Sequence, residues 1–392
     1  MSFLAPDSGK TLKFQVNKDV LHDAVAFAVR LLPARTTLPI LGGILIEADA
    51  NALRLSVFDY EVSAQAEIVA KVETSGRILV SGRLLNEIVS KLPNAPVEIS
   101  TDGSKVLVSC GSSKFTLLTM EVANYPTLPE IPAVTTTVSA EAFNTAVSQV
   151  AVAASKEEAT PWLTGVLLEV SDSAISMVAT DRYRLALVEV KCNVAADSAG
   201  SSALIPARTL QEVAKNFGNQ GEIAISIAKS GEREMVAFKA NNRAVTSLLL
   251  KGAFPDIKPF FPKEVDHFSI VAKQDLIDST RRVALVLEQY PAIRYSFNED
   301  SVVLEATGNE MAQASESVPA ELTGNDIVAP LKPQYLIDGL AGVHTEFTRI
   351  AFTKNPSDPN KPGPVLITSH GAKEATDKDS YRYLLQPNML QR

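Results

Sequence analysis

The chain has little from which to build a conventional reactive centre. Its 392 residues include two cysteines, four histidines and one tryptophan. Cys110 and Cys192 lie far apart and at no metal-ligand spacing, so they read as two separate thiols in a reducing compartment. His22, His267, His344 and His370 are scattered, with no carboxylate or cysteine at ligand spacing. Neither a metal, a cofactor nor histidine-based catalysis is therefore expected. G-x-S-x-G and H-E-x-x-H are absent, and the paired glycines of LGGILIE (residues 41–47) lack the Lys-Ser/Thr of a phosphate loop. They mark a turn or a strand start instead. No stretch approaches the roughly 20 apolar residues of a membrane helix. The opening MSFLAPDSGK lacks the basic-then-apolar order of a signal peptide, so a cytoplasmic protein without membrane partners is expected. The formal charge of −8 argues against tight electrostatic binding of nucleic acid.

What the chain does have is repetition. VNKDVLHDAVAFA from Val16, VSAEAFNTAVSQVA from Val138 and VAKQDLIDSTRRVA from Val271 each read as a short strand running into an amphipathic helix. ILVSGRLLNEIV and ALIPARTLQEVA repeat in phase, Leu85 aligning with Leu210, and QYLIDGLA near Leu336 is a looser third copy. There Asp338 takes the place of Glu87 and Glu212. The period, about 120–135 residues, is too long for a solenoid unit and suits a domain. Three tandem copies of one domain are the reading.

The strand signals alternate with period two: Leu53, Leu55 and Val57 in one run, Ile223, Ile225 and Ile227 in another. Such runs bury one face and imply antiparallel sheets. The helices show single apolar stripes: Leu21, Val25, Ala28 and Leu32, with Asn17 as N-cap; Phe143, Val147, Val150 and Ala154 behind Ser139; Leu276, Val283 and Leu287. The class is α+β with helices on one side of the sheets. Proline-rich joints at residues 128–136 and 254–267 divide the chain into units 1–128, 129–254 and 255–392. Polar tracts at 193–202, 354–364 and 371–380 read as exposed loops.

Two segments resist a purely structural explanation. VATDRYRLAL (178–187) is a strand broken by a turn in which Asp181 binds nearby backbone donors. The counterparts in the other copies, FDYE (58–61) and TGNE (307–310), lack its Arg-Tyr-Arg cluster, so the middle copy has a task of its own. The C-terminal YRYLLQPNMLQR is unusually apolar for a chain end and reads as a docked strand bordering a groove. A repeat-built enzyme using Asp181 and Arg184 is an alternative, as is a monomeric peptide-binding scaffold; a catalytic centre would need more convergent polar groups.

TLPILGG (37–43), WLTGVLLE (162–169), VATDRYRLAL, FPD (254–256) and YLLQP (383–387), in this order and spacing, resemble the bacterial DNA polymerase III beta subunit, the sliding clamp. The resemblance implies a non-enzymatic processivity factor: a head-to-tail homodimer closed into a ring of DNA-clamp domains, sheets outside and helices lining the hole. It implies partners: encircled double-stranded DNA read without sequence preference, a clamp loader, the polymerase III catalytic subunit and other proteins bearing a clamp-binding motif. DNA contacts are expected from Arg35, Arg83, Trp162, Arg208, Arg281 and Arg282, with Lys332 a further lining cation. A partner-peptide groove is expected from Leu163, Thr180, Arg182, Tyr183, Arg184, Leu185, Pro255, Phe260, Tyr335, Pro364, Leu384, Gln386 and Pro387. The dimer joint is expected from Lys105, Lys114, Phe115, Leu117, Leu285, Glu310 and Glu316. The family commonly closes on Met-Pro-x-Arg-Leu. Here Gln386-Pro387-Asn388-Met389-Leu390 and two further residues stand there, so a polar amide replaces a flexible apolar gate.

Overall fold

A computed structural model describes residues 12–32, 36, 38–229, 233–262, 265–287, 292–308, 312–354, 362–371 and 380–388. Six helices occur among them: α1 (Lys18–Arg30), α2 (Gly82–Lys91), α3 (Ala140–Val150), α4 (Ala207–Phe217), α5 (Lys273–Val283) and α6 (Pro333–Ala341). Asn17 caps α1 as its sequence requires, its Oδ1 accepting the N–H of Asp19 at 2.9 Å and of Val20 at 3.3 Å. Ser139 precedes α3 but its hydroxyl makes no capping bond. No helix of the described residues is long and apolar enough to cross a membrane. The tract at 354–364 is partly strand, since Pro362–His370 pairs with Phe347–Lys354; residues 355–361 and 372–379 lie outside the described set.

Contacts divide the chain into two compact units, Met1–Thr137 with Lys215–Leu249, and Val138–Ala214 with Leu250–Arg392. In the first, Lys71–Thr74, Lys13–Val16, Val97–Asp102, Lys105–Cys110 and Ser113–Leu118 form a five-stranded sheet in that order. Ser113–Leu118 is its edge. A second run orders Glu222–Ala228, Met235–Ala240, Arg243–Leu248, Val62–Val69, Ala52–Phe58, Gly43–Asp49 and Gly76–Ser81, each antiparallel to the next. Leu53, Leu55 and Val57 are buried as expected, but so are Ser56 and Phe58 on the other face. In the second run Ser226 is buried while Ile227 is half-buried, so these strands are covered on both faces where simple alternation was expected. Leu21, Val25 and Ala28 are buried on α1. α1 and α2 pack against one another, and α1 lies on Val62–Val69 and Ala52–Phe58.

The second unit is built on one twelve-stranded antiparallel sheet. Its order is Ser202–Pro206, Gly165–Val170, Ala174–Thr180, Arg184–Lys191, Arg382–Leu385, Pro362–His370, Phe347–Lys354, Phe268–Ala272, Gln313–Thr323, Ser301–Thr307, Ile293–Phe297 and Ile327–Leu331. The C-terminal strand is thus internal to the sheet. Arg184 pairs with Leu385 on one side, and Val365 pairs with Leu385 on the other. This explains an apolar chain end: Tyr383, Leu384 and Leu385 are buried from both neighbours, each such side chain stabilising by roughly 1.5–3 kcal/mol. α5 and α6 pack together, and α6 lies against Arg382–Leu385. Gly339 lets that helix approach, since a Cβ there would meet the Tyr383 ring at 2.5 Å.

Candidate functional site

The Thr180–Arg184 turn is set by its own side chains. Asp181 Oδ1 accepts the N–H of Tyr183 (3.0 Å) and of Arg184 (3.1 Å), and Thr180 Oγ1 accepts the N–H of Arg182 at 3.1 Å. Arg182 adopts the left-handed region at φ 78° to close it. Arg184 is buried at 6 % exposure. Its Nε donates to Asp181 Oδ2 at 2.9 Å and an Nη donates to Asp338 Oδ2 at 2.5 Å and Tyr383 Oη at 3.4 Å. The guanidinium also lies 4.1 Å from the centroid of the Tyr335 ring. Burial pulls its pKa down, but Tyr383 and the two carboxylates outweigh it and hold it above the ordinary arginine value. A buried cation of this kind is stable only with its partners in place. Asp181 and Arg184 are therefore committed to each other as structure, which removes the acid–base pair of the enzyme alternative.

Behind the turn, Leu185, Leu384 and Leu366 stand in register across three strands. They pack with Val178, Leu187, Ile257, Phe261 and Ala351. Above this apolar floor opens a cavity of about 430 Å3. Of the expected groove residues it is lined by Leu163, Thr180, Arg182, Tyr183, Arg184, Leu185, Pro255, Phe260, Pro364, Leu384 and Gln386. Gln386 is pinned by its N–H, which donates to the Tyr183 carbonyl at 2.9 Å, and its side chain is exposed.

Two expected groove residues stand behind the wall instead. Tyr335 braces Arg184 from α6, and its carbonyl accepts the Tyr383 hydroxyl at 2.8 Å. Pro387 is buried just before Asn388, whose N–H donates to the Pro330 carbonyl at 2.8 Å. Sequence reasoning missed Ala253 and Ile257, which also line the cavity. It missed Asp338 as the second carboxylate on Arg184, although the repeat alignment had singled out that position. Trp162, expected at DNA, lines the same cavity and packs against Gly252.

The cations expected at DNA divide. Arg83 and Arg208 are exposed on the first turns of α2 and α4. Arg281 faces Asp278 at 3.3 Å, and Arg282 is ion-paired to Glu316, its Nε 3.1 Å from Oε2. These two charges are offset within the chain, and Glu316 is correspondingly held below the usual carboxylate range by Arg282. Glu316, expected at the dimer joint, therefore already has a partner within its own chain. Lys332 lies between two aromatic rings, its Nζ 5.2 Å from the centroid of Tyr183 and 5.0 Å from that of Tyr335. Arg35 and Glu310 lie outside the described residues.

Of the residues expected at the dimer joint, Lys114 and Phe115 are exposed on the edge strand of the five-stranded sheet, Lys105 is exposed on the strand beside it, and Leu285 is 84 % exposed. Leu117 is not available: it is buried opposite Val106, because its place in the strand alternation turns it into its own core. Leu118, facing the other way, is the exposed apolar neighbour.

The family models for the N-terminal, central and C-terminal domains of the DNA polymerase III beta subunit match residues 12–129, 137–256 and 258–376. The chain belongs to this family. It is 40% identical to the beta sliding clamp of Streptomyces coelicolor over 97% of this chain and 100% of that protein. It is 47% identical to the beta sliding clamp of Micrococcus luteus, over 79% of this chain and 100% of that protein. Among solved structures, the Bacillus subtilis DNA polymerase sliding clamp superposes with a TM-score of 0.87 at 26% identity, covering 97% of this chain and 100% of that one. The three tandem domains, antiparallel sheets and six helices found here are those of the family.

Proposed function

We propose that this chain is a DNA sliding clamp, a ring-shaped processivity factor that encircles duplex DNA and tethers polymerase and repair proteins through short peptide motifs. The family is one of processivity factors and not of enzymes. The observation that carries the tethering role is the cavity floored by Leu185, Ile257 and Leu384 and walled by Leu163, Pro255, Phe260 and Pro364. Apolar walls with a few polar heads suit a short, largely hydrophobic segment that orders on binding. One such motif binds at about micromolar affinity, roughly −8 kcal/mol, which lets partners exchange. The polymerase III catalytic subunit, the clamp loader and other motif-bearing proteins are the partners of this reading, and the cytoplasm its place.

Encirclement also accommodates the charge of −8. A ring retains DNA by topology, and each neutralised phosphate would add a salt-sensitive binding term that opposes sliding. Weak contacts from Arg35, Arg83, Arg208, Arg281 and Arg282 suffice, and the carboxylates facing Arg281 and Arg282 keep their contacts weak. Tandem domains divided at 1–128, 129–254 and 255–392 supply the nearly equal rotations that let two copies close. Phe115 and Leu285 are the apolar surfaces for the joint between subunits, aided by Lys105 and Lys114.

Retention on nicked circular DNA tests the proposal. The loaded protein should stay bound in high salt and leave when the circle is linearised; loss by salt alone, without dependence on the cut, overturns encirclement. Leu163→Asp should abolish peptide binding by fluorescence polarisation while the dimer survives. Phe115→Glu with Leu285→Glu should give monomers in sedimentation.

A further inference from the structure

The first two copies carry the same row of carboxylates across their sheets, but only the first keeps the arginines between them. There Glu47 stands in register between Arg77 and Arg54, and Arg54 between Glu47 and Glu67. The Nε of Arg77 is 3.0 Å from Glu47 Oε1, and an Nη of Arg54 is 3.6 Å from Glu67 Oε2. Two arginines thus answer two carboxylates. Counted from the turn aspartates, Asp59 and Asp181, the matching residues of the second copy are Glu169, Ser176 and Glu189. Ser202 takes the place of Arg77, the same number of residues ahead of its helix. The register is kept: Glu169 stands between Ser202 and Ser176, and Ser176 between Glu169 and Glu189. Residues paired in this way share one face of the sheet. On that face lies a cavity of about 340 Å3 whose lining includes Glu169, Ser176, Glu189, Ser202 and Lys258. Lys258 reaches it from the connector, its Nζ 2.6 Å from Glu169 Oε2, and the buried Ser176 Oγ donates to the same oxygen at 3.4 Å. Glu189 is exposed and has no ion pair among the described residues. One lysine against two carboxylates leaves the pocket one cation short.

We infer that this pocket receives one guanidinium group, the arginine side chain of a docking protein, with Glu189 and Glu169 as its acceptors. The first copy demonstrates the fit, because its own Arg54 occupies the equivalent place between equivalent carboxylates. A guanidinium is a planar fork of donors that reaches acceptors on either side of it, whereas the ammonium of Lys258 is a point charge already facing Glu169. Serine hydroxyls are acceptors for the N–H groups that remain. A metal ion does not suit the site, since no three histidine, cysteine, aspartate or glutamate side chains among the described residues are grouped to hold one. The pocket shares no residue with the peptide groove, so the inference stands apart from that reading.

The probe is a short capped peptide of glycine and serine with one central arginine, and a twin with citrulline, which keeps the shape and loses the charge. In the full-length protein with labelled methyl groups, the arginine peptide should shift the NMR signals of Val170 and Ala174, which line the pocket. Millimolar affinity suits one half-exposed ion pair, and the citrulline twin should bind about fivefold more weakly. In Glu189→Gln that ratio should fall to about one. Ser176→Arg rebuilds the row of the first copy and should abolish the shifts while the rest of the spectrum stays in place. Arg54→Ser should do the reverse: the arginine peptide should now shift Ala66 and Ala244 beside the vacated position, a gain that misfolding cannot imitate. Absence of shifts with the arginine peptide overturns the inference, as do equal responses to the two peptides, a response that survives Ser176→Arg, or no gain in Arg54→Ser. Binding of free arginine about tenfold tighter than the peptide would mark a small-molecule site and overturn the docking protein as the source.

Discussion

The turn that begins at Asp59 and the turn that begins at Asp181 share one backbone and differ in what fills the space beside it. In both, the aspartate N–H donates to the residue three further on, Val62 or Arg184, and the next residue sits at positive φ, Tyr60 at 76° and Arg182 at 78°. The N–H of Leu248 donates to Glu61 as that of Gln386 does to Tyr183, both at 2.9 Å, and Met120 binds Leu79 as Leu250 binds Leu204, both at 2.8 Å. Yet the first copy is plugged. Phe58 is buried where the second copy has Thr180, and the Tyr125 hydroxyl accepts the Phe58 N–H at 2.8 Å and donates to the Gly43 carbonyl at 3.3 Å. At the place of Tyr125 the second copy has Phe254, which has no hydroxyl to make such bonds. A duplicated scaffold thus keeps one copy solid and opens the other by exchanging a few side chains.

The largest expected contrast lies in the residue that closes each turn. Arg184→Ala should destabilise the protein by about 3–5 kcal/mol, because Asp181 and Asp338 are left buried or half-buried without their cation. Val62→Ala, the matching change in the first copy, should cost about 1 kcal/mol or less at a half-buried site. Urea unfolding midpoints separate the two. Next comes an exchange of plugs. Thr180→Phe sets the first copy's aromatic into the second copy's cavity and should weaken peptide binding about a hundredfold, some 2.7 kcal/mol, while overpacking costs about 1–3 kcal/mol of stability. Peptide affinity unchanged in polarisation titrations would break the analogy between the two copies.

Much of this architecture is legible in the sequence because it rests on local signals. The Asn17 cap, the alternation of Leu53, Leu55 and Val57, and the aspartate turn at 181 all involve neighbours along the chain. Most of the groove could be read through resemblance, since the motifs that carry it are contiguous. What could not be read depends on pairs distant in sequence. Nothing local distinguishes Lys332 from the other cations beside helices, yet it lies over Tyr183. Arg282 and Glu316 look like separate surface charges until the sheet brings Gln313–Thr323 beneath α5. Phe115 and Leu117 share one face of their strand, yet only Leu117, opposite Val106, is covered, while Phe115, opposite Val108, stays exposed; that difference comes from neighbours distant in sequence.

The plug in the first copy can be weakened directly. Tyr125→Phe removes the hydroxyl that bridges Phe58 and Gly43 and should cost about 1–2 kcal/mol, since the Phe58 N–H is then left buried without a partner. The same residue gives a pH signature. Burial, chiefly, pushes the Tyr125 hydroxyl up to about 12 from the ordinary 10.0. A raised folded-state value means that its contribution is complete below pH 10 and is lost as pH climbs from 10 toward 12, where the unfolded chain ionises first. Unfolding measured across that window should show a shallower alkaline decline in Tyr125→Phe than in the unmodified protein. Tyr295, Tyr335, Tyr381 and Tyr383, which burial also raises, contribute to the remaining slope.

The smallest effect is the most diagnostic of why the copies differ. Both turns hold a side-chain-bearing residue in the left-handed region, where a Cβ costs roughly 1–2 kcal/mol and glycine costs nothing comparable. Tyr60→Gly and Arg182→Gly should therefore each change stability by no more than about 1 kcal/mol, the steric relief being partly offset by the added freedom of glycine in the unfolded chain. Thermal midpoints should move together in the two variants because the backbone demand is the same. Peptide binding should not: Arg182→Gly alters the lining of the cavity and should weaken it, and Tyr60→Gly should leave it unchanged. A strained turn retained with an arginine only where the neighbouring space is open is what a recognition role requires, whereas parallel behaviour of both variants in the binding assay would reduce Arg182 to a turn residue.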